Sequence, residues 1–301
     1  MSSISIKNLF IILIPLAVLM VASILASIIG YGLLLGFGDI FPLDKVISKI
    51  AKVLLVLSIF PAMYFLSLTA RDLGFAPLRV FQQQFMMGLL IGLITLMPVL
   101  IFFYMLDINV VDSSKPWTVA WVLKNLVVSL LLSALISFAE EPIFRGVLFA
   151  GLIKKIPVFG VIMTCSAYYA LLHFLKSHTH FSYQELDFFS GFILLGEAYL
   201  NVLRLENLPV FLALFMVGGF LAVLRTYVKT SLGLCIGCHT AWVWQIKMNK
   251  SMLNANPNSD YFFLASKYDG VIGPFVALWM LVAILVMIIY FKRQQMIESK
   301  C

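Results

Sequence analysis

Two adjacent carboxylates, Glu140 and Glu141, stand just ahead of Arg145 in Ser137-Phe-Ala-Glu140-Glu141-Pro142-Ile-Phe-Arg145-Gly146. On a helix, Glu141 and Arg145 share one face as an i,i+4 pair, while Glu140 points about 100° away and is free for another task. Pro142 removes a backbone donor and loosens the helix at that point, which helps to open a wet pocket. Two histidines lie in equally apolar surroundings, His173 in Ser166-Ala-Tyr-Tyr169-Ala-Leu-Leu-His173-Phe174 and His239 in Gly237-Cys238-His239-Thr240-Ala241-Trp242-Val243. A carboxylate and two imidazoles in a dry pocket can do two kinds of chemistry. As an acid/base set, Glu140 takes a proton from water, His173 holds that water and His239 donates to a developing oxyanion. As a metal set, Glu140, His173 and His239 give the three-ligand arrangement of a catalytic zinc with an open position. Spacing does not separate the two, because the three groups come from different helices. The bland alternatives are a structural Glu141–Arg145 pair that kinks a helix and histidines that are hydrogen-bonded core residues.

The elements that must position these groups follow from composition. Of 301 residues, 62% are hydrophobic and only 12% charged, with a formal net charge of +7. The mean hydropathy is +1.03 and the pI is near 9.2. A soluble domain carries about 25% charged residues. This composition excludes a soluble globule, a disordered chain and a disulfide scaffold, and it argues against a nucleic-acid partner. It implies an all-α polytopic membrane protein with the lipid bilayer as its environment. Cys165, Cys235 and Cys238 sit in apolar stretches, so no disulfide framework is implied by them or by Cys301. Cys235-Ile-Gly-Cys238-His239 matches the haem-attachment pattern C-x-x-C-H, but it lies inside an apolar helix and not in a cytochrome fold.

Apolar runs of about 20 residues predict about eight transmembrane helices, near 9–37, 50–70, 82–106, 118–151, 157–177, 208–228, 230–246 and 272–291. The segment 181–204 is apolar but interrupted by Glu185, Asp187 and Glu197, which predicts an interfacial or re-entrant element. Arg71, Arg79, Lys154, Lys155, Arg225, Lys229, Lys292, Arg293 and Lys300 fall on one side of such a bundle. The positive-inside rule then predicts a multi-pass protein of the cell membrane with both termini cytoplasmic. Counting about 1.5 Å per residue from the basic anchors, Glu140 lies roughly 20 Å from Lys154 and His173 roughly 25 Å from Lys155. His239 lies roughly 15 Å from Lys229 by the same rise. Three ionisable groups on three helices are therefore expected at one depth, within about 10 Å of one another.

The three segments, in this order, resemble the CAAX-processing and bacteriocin-processing family of intramembrane proteases, also called the abortive-infection family. Its signatures are Glu-Glu-x-x-x-Arg, Phe-x-x-x-His and His-x-x-x-Asn/Asp. Glu140-Glu141-Pro-Ile-Phe-Arg145-Gly146 fits the first completely, and Tyr169-Ala-Leu-Leu-His173 fits the second with Tyr for Phe. Gly219 to Thr226, then Ser231 to Trp242, resembles the family's closing helix pair. The resemblance covers residues 118–246, between N-terminal helices over 1–117 and an outer loop, last helix and tail over 247–301, all in one integrated domain. It implies an endopeptidase whose catalytic residues are Glu140, Glu141, Arg145, His173 and His239. The implied substrate is a hydrophobic or lipidated peptide. No cofactor is expected under the glutamate-activated-water account, and zinc on Glu140, His173 and His239 under the metal-dependent one. The departure is Val243, where the family places an Asn or Asp that helps to bind the oxyanion. Losing one such donor costs about 2.7–4 kcal/mol of transition-state stabilisation. A non-catalytic relative acting in membrane immunity or interaction, and a proton-relay transporter, are the competing functions.

Overall fold

The computed structural model describes residues 6–39 and 41–298; Lys300 and Cys301 of the expected tail lie outside the described residues. The chain begins with α1 (Ile6–Phe37), α2 (Leu43–Leu57) and a short α3 (Ile59–Phe65) that continues α2 past Ser58. Next come α4 (Leu78–Met105), a strand β1 (Asn109–Val111) and α5 (Val119–Glu141), which passes into a π-helical turn over Pro142–Leu148 and on into α6 (Phe149–Ile153). The core is completed by α7 (Val158–Leu172), α8 (Ser190–Val202), α9 (Leu208–Tyr227), α10 (Leu232–Met252), β2 (Leu253–Ala255) and α11 (Pro274–Glu298). An all-α polytopic membrane fold is what results.

Among the described residues, six helical stretches are long and apolar enough to cross a membrane: 10–37, 43–65, 78–105, 119–153, 205–227 and 274–296. The two other expected spans are also helices, but of a different kind. α7 has 15 residues, about 22 Å at 1.5 Å per residue. α10 has 21 residues, but its second half carries Gln245, Lys247, Asn249 and Lys250, while Leu232–Trp242 is buried throughout. α10 is the central pillar and touches α4, α5 and α9. The element expected over 181–204 is a loop followed by the 13-residue α8, too short to span.

β1 and β2 pair antiparallel, Asn109 with Ala255 and Val111 with Leu253, and tie the α4–α5 connection to the end of α10. Sequence reading took the residues around Asn254 only as a loop. A three-residue strand without alternating apolar residues leaves no periodic trace.

Close backbone packing sets the register of the pillar. A Cβ at Gly237 would come 2.1 Å from the carbonyl oxygen of Phe85, and one at Gly88 would come 2.2 Å from that of Leu234. Gly92 and Gly233 make the same demand one turn further along each helix. Small residues four apart let two helices approach closely where lipid supplies no hydrophobic driving force.

The two ends of the bundle differ in what holds them. At one end Arg225 donates through Nη2 to the Asp72 carbonyl (2.9 Å), and Leu232 N donates to Gly74 O (3.0 Å). At the other, Tyr183 Oη donates to Leu34 O (3.3 Å) and His180 Nδ1 stands 3.6 Å from Asp44 Oδ1. α2 brings Lys45, Lys49 and Lys52 towards this second end, joined by Lys176, by Lys250 in the last turn of α10 and by Lys267 beyond it. With α2 beginning at Leu43 rather than near 50, basic residues are abundant at both ends and the loop-charge contrast read from sequence is weaker than expected.

The glycine contacts give the first prediction. Gly237→Ala should lower the thermal unfolding temperature of the purified protein, equivalent to about 1–3 kcal/mol of overpacking. Gly196→Ala, mid-helix in α8 with nothing within 4 Å of the added Cβ, should be neutral or stabilising by about 0.5–1 kcal/mol.

Candidate active site

Ser129, Ser133, Ser137 and Glu141 recur every fourth residue and form the buried face of α5. Ser133 and Ser137 turn their hydroxyls back onto the carbonyls of Ser129 (2.6 Å) and Ser133 (2.9 Å), so this stripe is narrow and polar-neutral. α10 packs against α5, and the next residue in the stripe, Glu141, meets His239. The π-helical turn follows at once. Pro142 has no N–H to continue the i→i−4 ladder, and the widened turn carries Phe144, Arg145 and Gly146 inward, all buried.

Glu141 is fully buried and holds two partners on one oxygen. Oε1 accepts from Arg145 Nη1 at 3.1 Å and from His239 Nδ1 at 2.8 Å. Arg145, also fully buried, donates through Nη2 to Gly218 O on α9 (3.0 Å), and its guanidinium lies over the Tyr169 ring at 4.7 Å. A carboxylate can only accept, so His239 carries its proton on Nδ1 and presents Nε2 to the site. There Tyr169 Oη stands 3.4 Å away and Glu140 Oε2 4.0 Å away. His173 is fixed in the same way: its Nδ1 donates to the Tyr169 carbonyl at 2.7 Å, leaving Nε2 as the acceptor.

Glu140 faces elsewhere, as its 100° offset requires. Its side chain is 29% exposed against 0% for Glu141. With His173 it lines a cavity of about 780 Å³ walled by α1, α2, the α5–π junction, the end of α7 and α8. The cavity wall extends to the start of α2, at Asp44 and Lys45. Glu140, His173 and His239 therefore stand together around Tyr169, whose ring centroid is 4.7 Å from that of His173 and 5.8 Å from that of His239. They are not equivalent. Glu140 and His173 face the cavity, whereas His239, 2% exposed, stands behind Glu140 and Tyr169. Val243, one turn beyond His239, is half-buried and lies outside the cavity wall among the described residues. Among those residues no three His, Cys, Asp or Glu side chains stand at metal-ligand spacing. Glu140 Oε2 and His239 Nε2 stand 4.0 Å apart, with Tyr169 Oη 3.4 Å from the same nitrogen.

Sequence reasoning missed two participants. Tyr169 entered only as the aromatic of its motif, yet it touches both histidines and Arg145. The Glu141–His239 bond was not foreseen, although the four-residue stripe Ser129–Ser133–Ser137–Glu141 carried the signal. Beyond α7, Glu197 clamps the chain that borders the cavity. It accepts from Ser177 Oγ, from His178 N at 3.0 Å and from Thr179 N at 3.2 Å. These bonds, Ser177's first, hold its carboxyl down to about 2.

Residues 121–245 match a family model, that of the type II CAAX prenyl endopeptidase Rce1-like proteins. Glu140, Glu141, Arg145, His173, His239 and Val243 all fall inside the matched segment. No curated protein and no solved structure matches.

The burial contrast gives the second prediction. Arg145→Met strands the Glu141 charge and should cost about 3–5 kcal/mol of stability. Glu140→Gln, at the cavity wall, should leave the unfolding temperature within about 0.5 kcal/mol equivalent of the unsubstituted protein. Thermal unfolding of the purified variants measures both.

Proposed function

We propose, for a chain whose residues 121–245 belong to the Rce1-like family of type II CAAX prenyl endopeptidases, that it hydrolyses a peptide bond within the cell membrane with a water activated by Glu140. The observation that carries this reading is the division of labour between the two neighbouring glutamates. Glu140 opens onto the cavity beside His173, and Glu141 is consumed by Arg145 and His239.

The chemistry follows from the protonation pattern. A water bound between Glu140 and His173 Nε2 gives a proton to the Glu140 carboxylate as its oxygen attacks the scissile carbonyl. His239 is the group to steady the oxyanion. Its Nδ1–H is engaged by the Glu141 carboxylate, and a proton carried on Nε2, beside Tyr169 Oη and Glu140, is the one it offers to the oxyanion. Glu140 returns its proton to the leaving amine, and the acid and amine products separate. Arg145 and Tyr169 touch neither water nor peptide in this scheme; they position Glu141, His173 and His239. Every step is supplied by side chains of this chain.

Substrate class follows from the cavity. Its walls are mainly apolar around a few polar groups, which suits a hydrophobic or lipidated peptide segment.

Val243 favours a second reading, a binding relative with little turnover. An apolar side chain one turn from His239 withholds the oxyanion donor that the resemblance leads one to expect. The two readings part on one pair of variants. With a lipidated peptide in detergent, Glu140→Gln should abolish release of the C-terminal fragment. Val243→Asn should raise kcat by tenfold or more with KM little changed, since a donor aimed at developing charge acts on the transition state (one such donor is worth about 10²–10³ in rate). Unchanged turnover in Val243→Asn, together with an unfolding penalty of about 1–3 kcal/mol for a stranded amide, favours the binding reading instead.

A further inference from the structure

Four lysines line the cavity that contains Glu140 and His173: Lys45, Lys49 and Lys52 from α2, and Lys176 just beyond α7. On α2 the spacing of four and then three residues keeps the lysines on one helical face over about 10 Å. Lysines in a lipid-facing helix ordinarily snorkel outwards along the bilayer. These instead share a wall with the candidate catalytic glutamate. Among the described residues none of the four forms an ion pair with a carboxylate; Asp44, the other acid of the wall, faces His180. Lys49 and Lys176 rest on the faces of Phe41 and Tyr268, at 5.0 and 4.8 Å. Burial, and then the charges of Lys52 and Lys250, push the Lys176 ammonium below its usual range. Against the carboxylates of Asp44 and Glu140 the four ammonium groups leave the wall with an excess of positive charge, offset in part at Lys176 by Asp269.

We propose that Lys52 and Lys176, with Lys49 and Lys45 nearer the start of α2, form a carboxylate subsite that holds the free C-terminus of the peptide substrate. The proposal rests on the endopeptidase reading above and assigns the direction in which the substrate lies. A CAAX-type peptide ends in a free α-carboxylate a few residues beyond its modified cysteine. Drawn into a trench walled by Leu55, Ile143, Leu172 and Leu194, that carboxylate is costly to desolvate unless it is paired. Ammonium groups on flexible stems suit an end whose position varies with residue size. The dimensions agree. From Lys45 to Val56, both on the wall, α2 rises about 16 Å, the length of roughly five extended residues at about 3.3 Å each. A short fragment fits along this wall, and the lysines share the cavity with Glu140, where its N-terminal bond would lie.

The test uses the full-length Glu140→Gln protein, which binds without turnover, in nanodiscs of zwitterionic phosphatidylcholine. A farnesylated peptide with a free C-terminal carboxylate is compared with the same peptide as its C-terminal amide. The carboxylate form should bind about tenfold to a hundredfold more tightly, as expected for a charge-assisted contact. Adding Lys52→Gln and Lys176→Gln should bring its Kd to that of the amide and leave amide binding unchanged, whereas Lys52→Arg with Lys176→Arg should keep the preference. Equal binding of both peptides to the lysine-bearing protein overturns the proposal. So does a lysine effect seen only as stabilisation by phosphatidylglycerol in the nanodisc, which makes the lysines a lipid-headgroup site. Turnover of the wild type on the two peptides keeps the two readings apart. Equal kcat/KM for carboxylate and amide removes the subsite and leaves the endopeptidase. Preferential carboxylate binding with cleavage of neither peptide keeps the subsite and removes the endopeptidase.

Discussion

The Glu141 carboxylate, sealed from water and bonded through a single oxygen to both Arg145 and His239, is the constraint around which the core is arranged. A lone buried charge of either sign is prohibitive in a membrane. The carboxylate, the guanidinium and the imidazole must therefore arrive together, from α5, the π-helical turn and α10. Arg145 adds α9 through Gly218 O and stacks on Tyr169 of α7. Five segments are thus tied to one charge cluster. Its worth lies less in net stability than in geometry, since replacing such a cluster with apolar residues is often neutral or favourable. What it secures is the orientation of His239 and, through Tyr169, the placement of His173.

The apposition of Glu140 and Glu141 then has a simple physical meaning. One helical step of about 100° separates a residue that must be buried and paired from one that must remain available. Exposure of that second carboxylate to the cavity suits the proposed hydrolysis, in which it accepts a proton and returns it. Rigidity of the first is useful because it must not. The π-helical turn directly after the pair allows both, since it shifts the downstream chain without moving α5 off α10.

Much of this was legible in the sequence. The all-α membrane fold followed from composition. Glu140, His173 and His239 followed from their placement at one depth, and the Glu141–Arg145 pair from its four-residue spacing. The part that was not legible lies in contacts between helices. Periodicity says which face of α5 is buried but not that α10 lies against it, so the Glu141–His239 bond had no local signature. The limits of α2 were misjudged because Lys45, Lys49 and Lys52 make its first half look like a loop in a hydropathy window. α10 was taken as an ordinary span, although its C-terminal half is too polar for lipid and is shielded by its neighbours. β1 and β2 are too short for any pattern.

The glycine-mediated contact between α4 and α10 has a mechanical consequence. Backbones in direct contact have no side chains between them to re-pack, so the two helices move as one stiff body. α1, α2 and α8 pack chiefly on one another, and α2 is mostly exposed along its length. Of the elements that wall the cavity, α1, α2 and α8 form the more yielding side, and the α5–π junction, which packs on the α4–α10 body, forms the stiffer one. Under the proposed hydrolysis, accommodation of substrates of different girth falls to the more yielding side, and differences between substrates register in how readily they are admitted and not in how the bond is broken.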